Sequence, residues 1–129
     1  MAPELRTLGW ATILGLAYVL TAAAFATQQR GLRWNAGNRD GEVKPLSGAA
    51  ARAARANHNF LETFPFFAAA TLAVVLAQRS SAHTAFAAQL YLWARAAYLP
   101  IYLIGIPYVR TLVWAAAFWA VLQMLGALL

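Results

Sequence analysis

Arg52-Ala53-Ala54-Arg55-Ala56-Asn57-His58-Asn59-Phe60-Leu61-Glu62-Thr63-Phe64-Pro65 is the stretch in which the chain passes from a basic segment into an apolar one. Arg52, Arg55, Asn59 and Glu62 recur at i, i+3, i+7 and i+10, so on an α-helix they share one stripe. Ala49, Ala53, Ala54 and Ala56 lie behind that stripe and are small enough to admit a neighbouring helix closely. The residues that follow, Phe64 to Ala77, carry no charge. Glu62 therefore stands at the edge of an apolar span, where a carboxylate is costly and faces a partner or a cavity.

The rest of the chain has the same character. Of its 129 residues 62% are hydrophobic and 11% charged, with mean hydropathy +0.56; soluble domains carry about 25% charged residues. One domain over 1–129 is expected. With no cysteine, disulfides, thiolate metal sites and a cysteine nucleophile are excluded, and no metal site is expected. The net charge of +6 sits between apolar spans, a pattern of membrane topology rather than of nucleic-acid binding.

Four apolar segments stand out: Leu8–Thr27, Phe60–Gln78 with its lead-in from Ser47, Ala82–Ile106, and Thr111–Leu129. The first is longer than the apolar core of a cleavable signal and is read as a span. Ser47 and Ser81 suit N-caps, and Pro107 suits a helix start. The reading is an all-α integral membrane protein, a bundle of four transmembrane helices at about 5–28, 47–79, 81–105 and 108–128. Arg30, Arg33, Arg39 and Lys44 fall in the only long connection, and Arg110 follows the last turn. The positive-inside rule places 28–46 and 105–110 in the cytoplasm and both termini opposite, with the basic loop near lipid headgroups.

A second stripe, Tyr91, Arg95, Tyr98 and Tyr102, runs along the third helix. Arg95 and Glu62 fall at similar depth, and each needs an opposite charge, so an ion pair is expected between them. Arg55, Asn59, Tyr98, Tyr102 and Arg110 all lie on the cytoplasmic side of that pair. This is more polarity than a register lock needs, and it predicts a pocket for an anionic, hydrogen-bonding ligand beside a lipid-facing wall for an apolar one. Pro65 and Pro100 free the carbonyls of Leu61 and Ala96, beside the two intramembrane charges.

Arg55-Ala-x-x-Asn59-x-x-Glu62-x-x-Pro65, after Gly37-Asn-Arg39-Asp40 and before Arg95 and Tyr102, resembles the MAPEG family (membrane-associated proteins in eicosanoid and glutathione metabolism), its small bacterial members most. The resemblance covers nearly the whole chain. It implies a homotrimer in a bacterial inner membrane, binding glutathione as co-substrate between subunits. It also implies the reaction of a glutathione transferase or peroxidase on lipophilic electrophiles. By the same resemblance Asn59, Glu62 and Tyr102 contact the tripeptide, with Arg55, His58, Tyr98 and Thr111 in the same set, and Arg95 braces Glu62. Arg30 or Arg33 from the neighbouring subunit holds a glutathione carboxylate, and Arg110 stabilises the thiolate as the catalytic residue. His58, Tyr98 and Trp114 depart from residues found in some catalytic members. A non-catalytic membrane protein of the same type, or a small multidrug transporter, are the alternative readings.

Overall fold

The computed structural model describes residues 1–129. Every regular element is helical: α1 (Pro3–Arg30), α2 (Leu32–Ala36), α3 (Gly48–Leu76), α4 (Ala82–Ile104) and α5 (Pro107–Leu128). The four long helices match the expected segments. The five-residue α2 was not expected, because one turn and a half is too short to show a period. Local contacts hold it: Asn35 Nδ2 donates to Thr27 Oγ1 at 2.7 Å, and the guanidiniums of Arg30 and Arg39 lie 5.0 and 5.4 Å from the Trp34 ring centre.

The long helices alternate in direction. Thr84 Oγ1 donates to Glu4 Oε2 at 3.1 Å, joining the starts of α4 and α1, which run parallel. Arg52 Nε donates to the Leu103 carbonyl at 3.0 Å, joining the start of α3 to the end of α4. His83 and Gln123 meet at 2.9 Å, joining the start of α4 to the end of α5. One end of the bundle thus carries 28–47 and the Gly105 turn, and the other carries both termini and the 77–81 turn. α1 packs on α3 and α4; α5 packs on the same two helices, and its backbone does not closely approach that of α1.

The helix ends follow local chemistry. Ser81 and Thr84 form a reciprocal capping box at the start of α4. Ser47 precedes α3 without a side-chain cap; its N–H donates to Gln29 Oε1 at 3.1 Å and its carbonyl accepts from Gln29 Nε2 at 3.0 Å. Gly105 closes α4 in the left-handed region at φ 90°, where a Cβ is disfavoured, and Pro107 opens α5.

Small residues line the interior. Ala50, Ala53 and Ala56 form the buried stripe of α3, and Ala87, Ala88, Ala117 and Ala120 do the same for α4 and α5. Large apolar side chains such as Trp10, Leu16, Leu20, Phe66 and Leu112 point outward. This inverts the soluble pattern, and bilayer hydrocarbon makes it favourable. α1, α3 and α5 are long and apolar enough to cross a membrane. α4 is as long as α5 but carries Gln89, Arg95 and three tyrosines; Tyr91, Arg95 and Tyr98 are all buried within the bundle.

Candidate functional site

Arg95 is the centre from which the site is built. It is 0% exposed, held by ring faces: its guanidinium carbon lies 4.1 Å from the Tyr98 ring centre, 5.4 Å from Phe60 and 5.7 Å from Tyr18. Aromatic faces attract a desolvated cation. Tyr18 adds a hydrogen bond from its hydroxyl to the Arg95 carbonyl at 2.5 Å, one residue from the carbonyl that Pro100 deprives of a donor. The one polar side chain that receives the guanidinium is Asn59, whose Oδ1 accepts from Nη1 at 2.8 Å. Nε and Nη2 have no protein partner.

The expected Glu62–Arg95 ion pair is not formed in the chain. The Glu62 side chain is 60% exposed, and its neighbour is His58, itself 80% exposed, at 3.7 Å. Arg95 turns inward beneath Asn59, whereas Glu62 lies three residues further along α3 and opens outward. There the carboxylate keeps its hydration, which burial against Arg95 would remove. Glu62→Gln is therefore expected to change stability by less than about 1 kcal/mol, the range of exposed charges. Its effect should add to that of Arg95→Met within about 0.5 kcal/mol in a double-mutant cycle. A coupling of several kcal/mol would restore the pair.

A cavity of about 370 Å³ opens above Arg95, lined by Arg55, His58, Asn59, Glu62, Tyr98, Tyr102 and Arg110 together with Ala54. Seven residues singled out in the sequence thus meet at one place, drawn from α3, α4 and the first turn of α5. Tyr102 organises its mouth. Arg55 Nε donates to the Tyr102 hydroxyl at 3.0 Å, and the Arg110 guanidinium lies 4.7 Å from the ring centre. With its oxygen engaged as an acceptor, the Tyr102 hydroxyl keeps its hydrogen for another group. The buried Tyr98 hydroxyl has no protein partner either.

Two further spaces share lining residues with this cavity. Towards the loop end, Arg55, Tyr102 and Arg110 also line a cavity of about 330 Å³ with Arg52 and Gly105. The Arg52 side chain lies 3.7 Å from where a Cβ on Gly105 would stand, an ordinary contact distance, so it is the positive φ of the turn that calls for glycine. Towards the other end, Asn59 and Glu62 also border a groove of about 390 Å³ between α3 and α5, walled by Phe66, Trp114, Phe118 and Leu122. Trp114 stacks on Phe118 at 5.2 Å. A cationic mouth, a polar chamber and an apolar groove follow one another along one face, with Asn59 and Glu62 at the last junction.

Arg30 and Thr111 do not line the cavity. Arg30 donates from Nε to the Lys44 carbonyl at 2.8 Å, at the end of α1, and the α1 backbone does not closely approach α5. Thr111 is exposed on α5. Arg52 was placed on the stripe but not in the site; its i, i+3 relation to Arg55 was the available signal. The sequence predicts an apolar wall beside the pocket but not the residues that form the groove, because they come from two helices that both read simply as spans. Glu4 was overlooked: it is 1% exposed, at the opposite end of the bundle.

No curated protein and no solved structure matches the chain. The MAPEG family model matches residues 7–129. With three helices fit to cross a bilayer and a family match over almost its entire length, the chain is an integral, multi-pass membrane protein that belongs to the MAPEG family, a family linked to glutathione.

Proposed function

We propose that the protein binds glutathione in the polar cavity and joins it through its sulfur to lipophilic electrophiles, or uses it to reduce lipophilic peroxides. One observation carries this reading: Arg55, Asn59, Glu62, Tyr98, Tyr102 and Arg110 surround a single cavity that shares the Asn59 and Glu62 wall with an apolar groove. The guanidiniums suit carboxylates. Asn59 and Glu62 suit amide and amine groups. The groove suits a molecule arriving from the bilayer.

The chemistry is thiol activation. A free thiol has a pKa of about 8.5 and is mostly protonated at neutral pH. A guanidinium in a site of low dielectric favours the thiolate, and the proton passes to solvent. Arg110 is the group for this role, at the cavity wall and in the first turn of α5; the free Tyr102 hydrogen is a second donor. The thiolate then forms a carbon–sulfur bond with the electrophile, which expels its leaving group or takes up a proton. With a peroxide it attacks the O–O bond and, taking up a proton from solvent, yields an alcohol and a sulfenic acid, which a second glutathione converts to the disulfide and water.

The assembly belongs to the same proposal: a homotrimer in which all four long helices cross an inner membrane, with 28–46 and 105–110 cytoplasmic. Arg30 or Arg33, remote from the cavity of its own chain, then serves a neighbour's site. The transporter reading gains from an exposed Glu62, since a cation exporter needs a free carboxylate. It loses more to Arg55 and Arg110 in the same cavity, because two fixed cations oppose a cationic cargo. Titration of the detergent-solubilised protein with glutathione, followed by thiolate absorbance in the ultraviolet, tests the proposal. Saturable thiolate formation at neutral pH is expected. Binding without thiolate selects a non-catalytic member, and no binding removes the glutathione reading.

A further inference from the structure

A guanidinium has five N–H donors and no acceptor. The 2.8 Å bond from Arg95 Nη1 to Asn59 therefore settles which way the asparagine amide faces. Its oxygen must point inward to Arg95, because the reverse orientation would set two donors against each other beside a desolvated charge. Arg95 has little freedom to yield, since its guanidinium lies against the rings of Tyr18, Phe60 and Tyr98. The amide NH₂ is left to the cavity and groove that Asn59 lines. Three residues on, Glu62 presents its carboxylate oxygens as acceptors on the same two walls. Side chains at i and i+3 are neighbours on a helix surface.

We propose that Arg95 is a positioning residue for recognition. Acting through Asn59, it fixes a hydrogen-bond donor beside the Glu62 acceptor. That wall then selects a ligand offering an acceptor and an N–H donor close together, as a peptide group or an α-amino acid end does. The proposal rests on the glutathione reading above and assigns Arg95 a role that is not a charge partnership with Glu62. The buried cation orients a neutral amide, and the amide meets the ligand.

The two substitutions of Asn59 separate recognition from stability. Asn59→Asp gives Arg95 a carboxylate partner and shows the cavity acceptors alone. Its Tm should rise, because the buried cation is compensated, while glutathione affinity falls about tenfold or more, the scale of one lost hydrogen bond with a donor replaced by a charge. Asn59→Leu removes the donor without adding charge; Tm and affinity should both fall. Arg95→Lys keeps a donor-only partner for Asn59 and should hold affinity within about threefold, whereas Arg95→Met frees the amide to turn and should lose about tenfold. Calorimetric titration with glutathione and thermal unfolding in the same detergent read both quantities. Affinities that simply follow Tm across the four variants would overturn the proposal, as would wild-type binding by Asn59→Asp. A Tm that does not rise in Asn59→Asp removes the bond on which it stands. If the wild-type protein itself binds no glutathione, the functional reading fails instead, and the Tm of Asn59→Asp still decides the Arg95–Asn59 contact.

Discussion

Arg110→Ala is expected to raise the thiol pKa of bound glutathione by at least one unit, worth about 1.4 kcal/mol, and to lower turnover at neutral pH by tenfold or more. Arg110 is suited to this by position. It lies in the first turn of α5, after Pro107, at the wall shared by the cationic mouth and the polar cavity. The Tyr102 ring, 4.7 Å from its guanidinium, fixes one face and leaves the N–H edge for a ligand. An anion there gains from the guanidinium and from the unpaired N–H groups of the helix start. Arg110→Lys keeps the charge but loses the planar fork, so thiolate formation should fall only in part. Affinity at low pH, where the thiol is neutral in both proteins, should change much less, because the other cavity residues do not depend on sulfur ionisation. The measurement is a pH titration of thiolate absorbance in each variant. Equal loss of binding at every pH would make Arg110 a carboxylate grip and move the thiolate role to another group.

Phe60→Ala should carry the largest stability cost in the molecule, about 3–5 kcal/mol. Phe60 is 1% exposed and is the piece on which α1, α3 and the arginine cage meet. Its ring lies 4.6 Å from Tyr18 and 5.3 Å from Phe64, and it forms one wall around Arg95. On the α1 side it fills the space above Gly15, where an added Cβ would stand 2.8 Å from Phe60 Cε1. Truncation leaves a void under Gly15 and exposes a face of a buried cation. Because lipid is as apolar as the ring, the loss comes from packing and from the cation–π contact rather than from hydrophobic transfer. Reversible unfolding in mixed micelles measures it. Phe60→Leu should cost clearly less, and Phe60→Ala with Gly15→Ala should recover part of the loss as the new methyl enters the void. A cost under about 1 kcal/mol for Phe60→Ala would mean that α1 and α3 are held elsewhere.

The two predictions rest on different kinds of knowledge. The proposal of Arg110 for the thiolate comes from the resemblance that its neighbourhood carries. The role of Phe60 was not, because a phenylalanine in an apolar span looks the same whether it faces lipid or an arginine. Phe66 and Phe67 make the point: they are adjacent, yet one is exposed on the groove and the other fully buried against Tyr91 at 4.0 Å between ring centres.

What the sequence by itself determined is everything carried by period and local chemistry. Apolar runs of membrane-spanning length placed the long helices. Ser81, Gly105 and Pro107 marked their ends through hydrogen bonds and dihedral preferences confined to a turn. The i, i+3, i+7, i+10 stripe put Arg55, Asn59 and Glu62 on one face whatever that face met. What only the tertiary structure decided is which group on a face turns inward. Glu62 and Arg95 stand at similar depth and have opposite charges, so charge alone paired them. Three aromatic rings and one amide from α1, α3 and α4 instead hold the arginine inside the bundle, and the carboxylate remains outside with its hydration. The balance between desolvation and Coulomb attraction depends on distances between helices, and no spacing along one helix contains them.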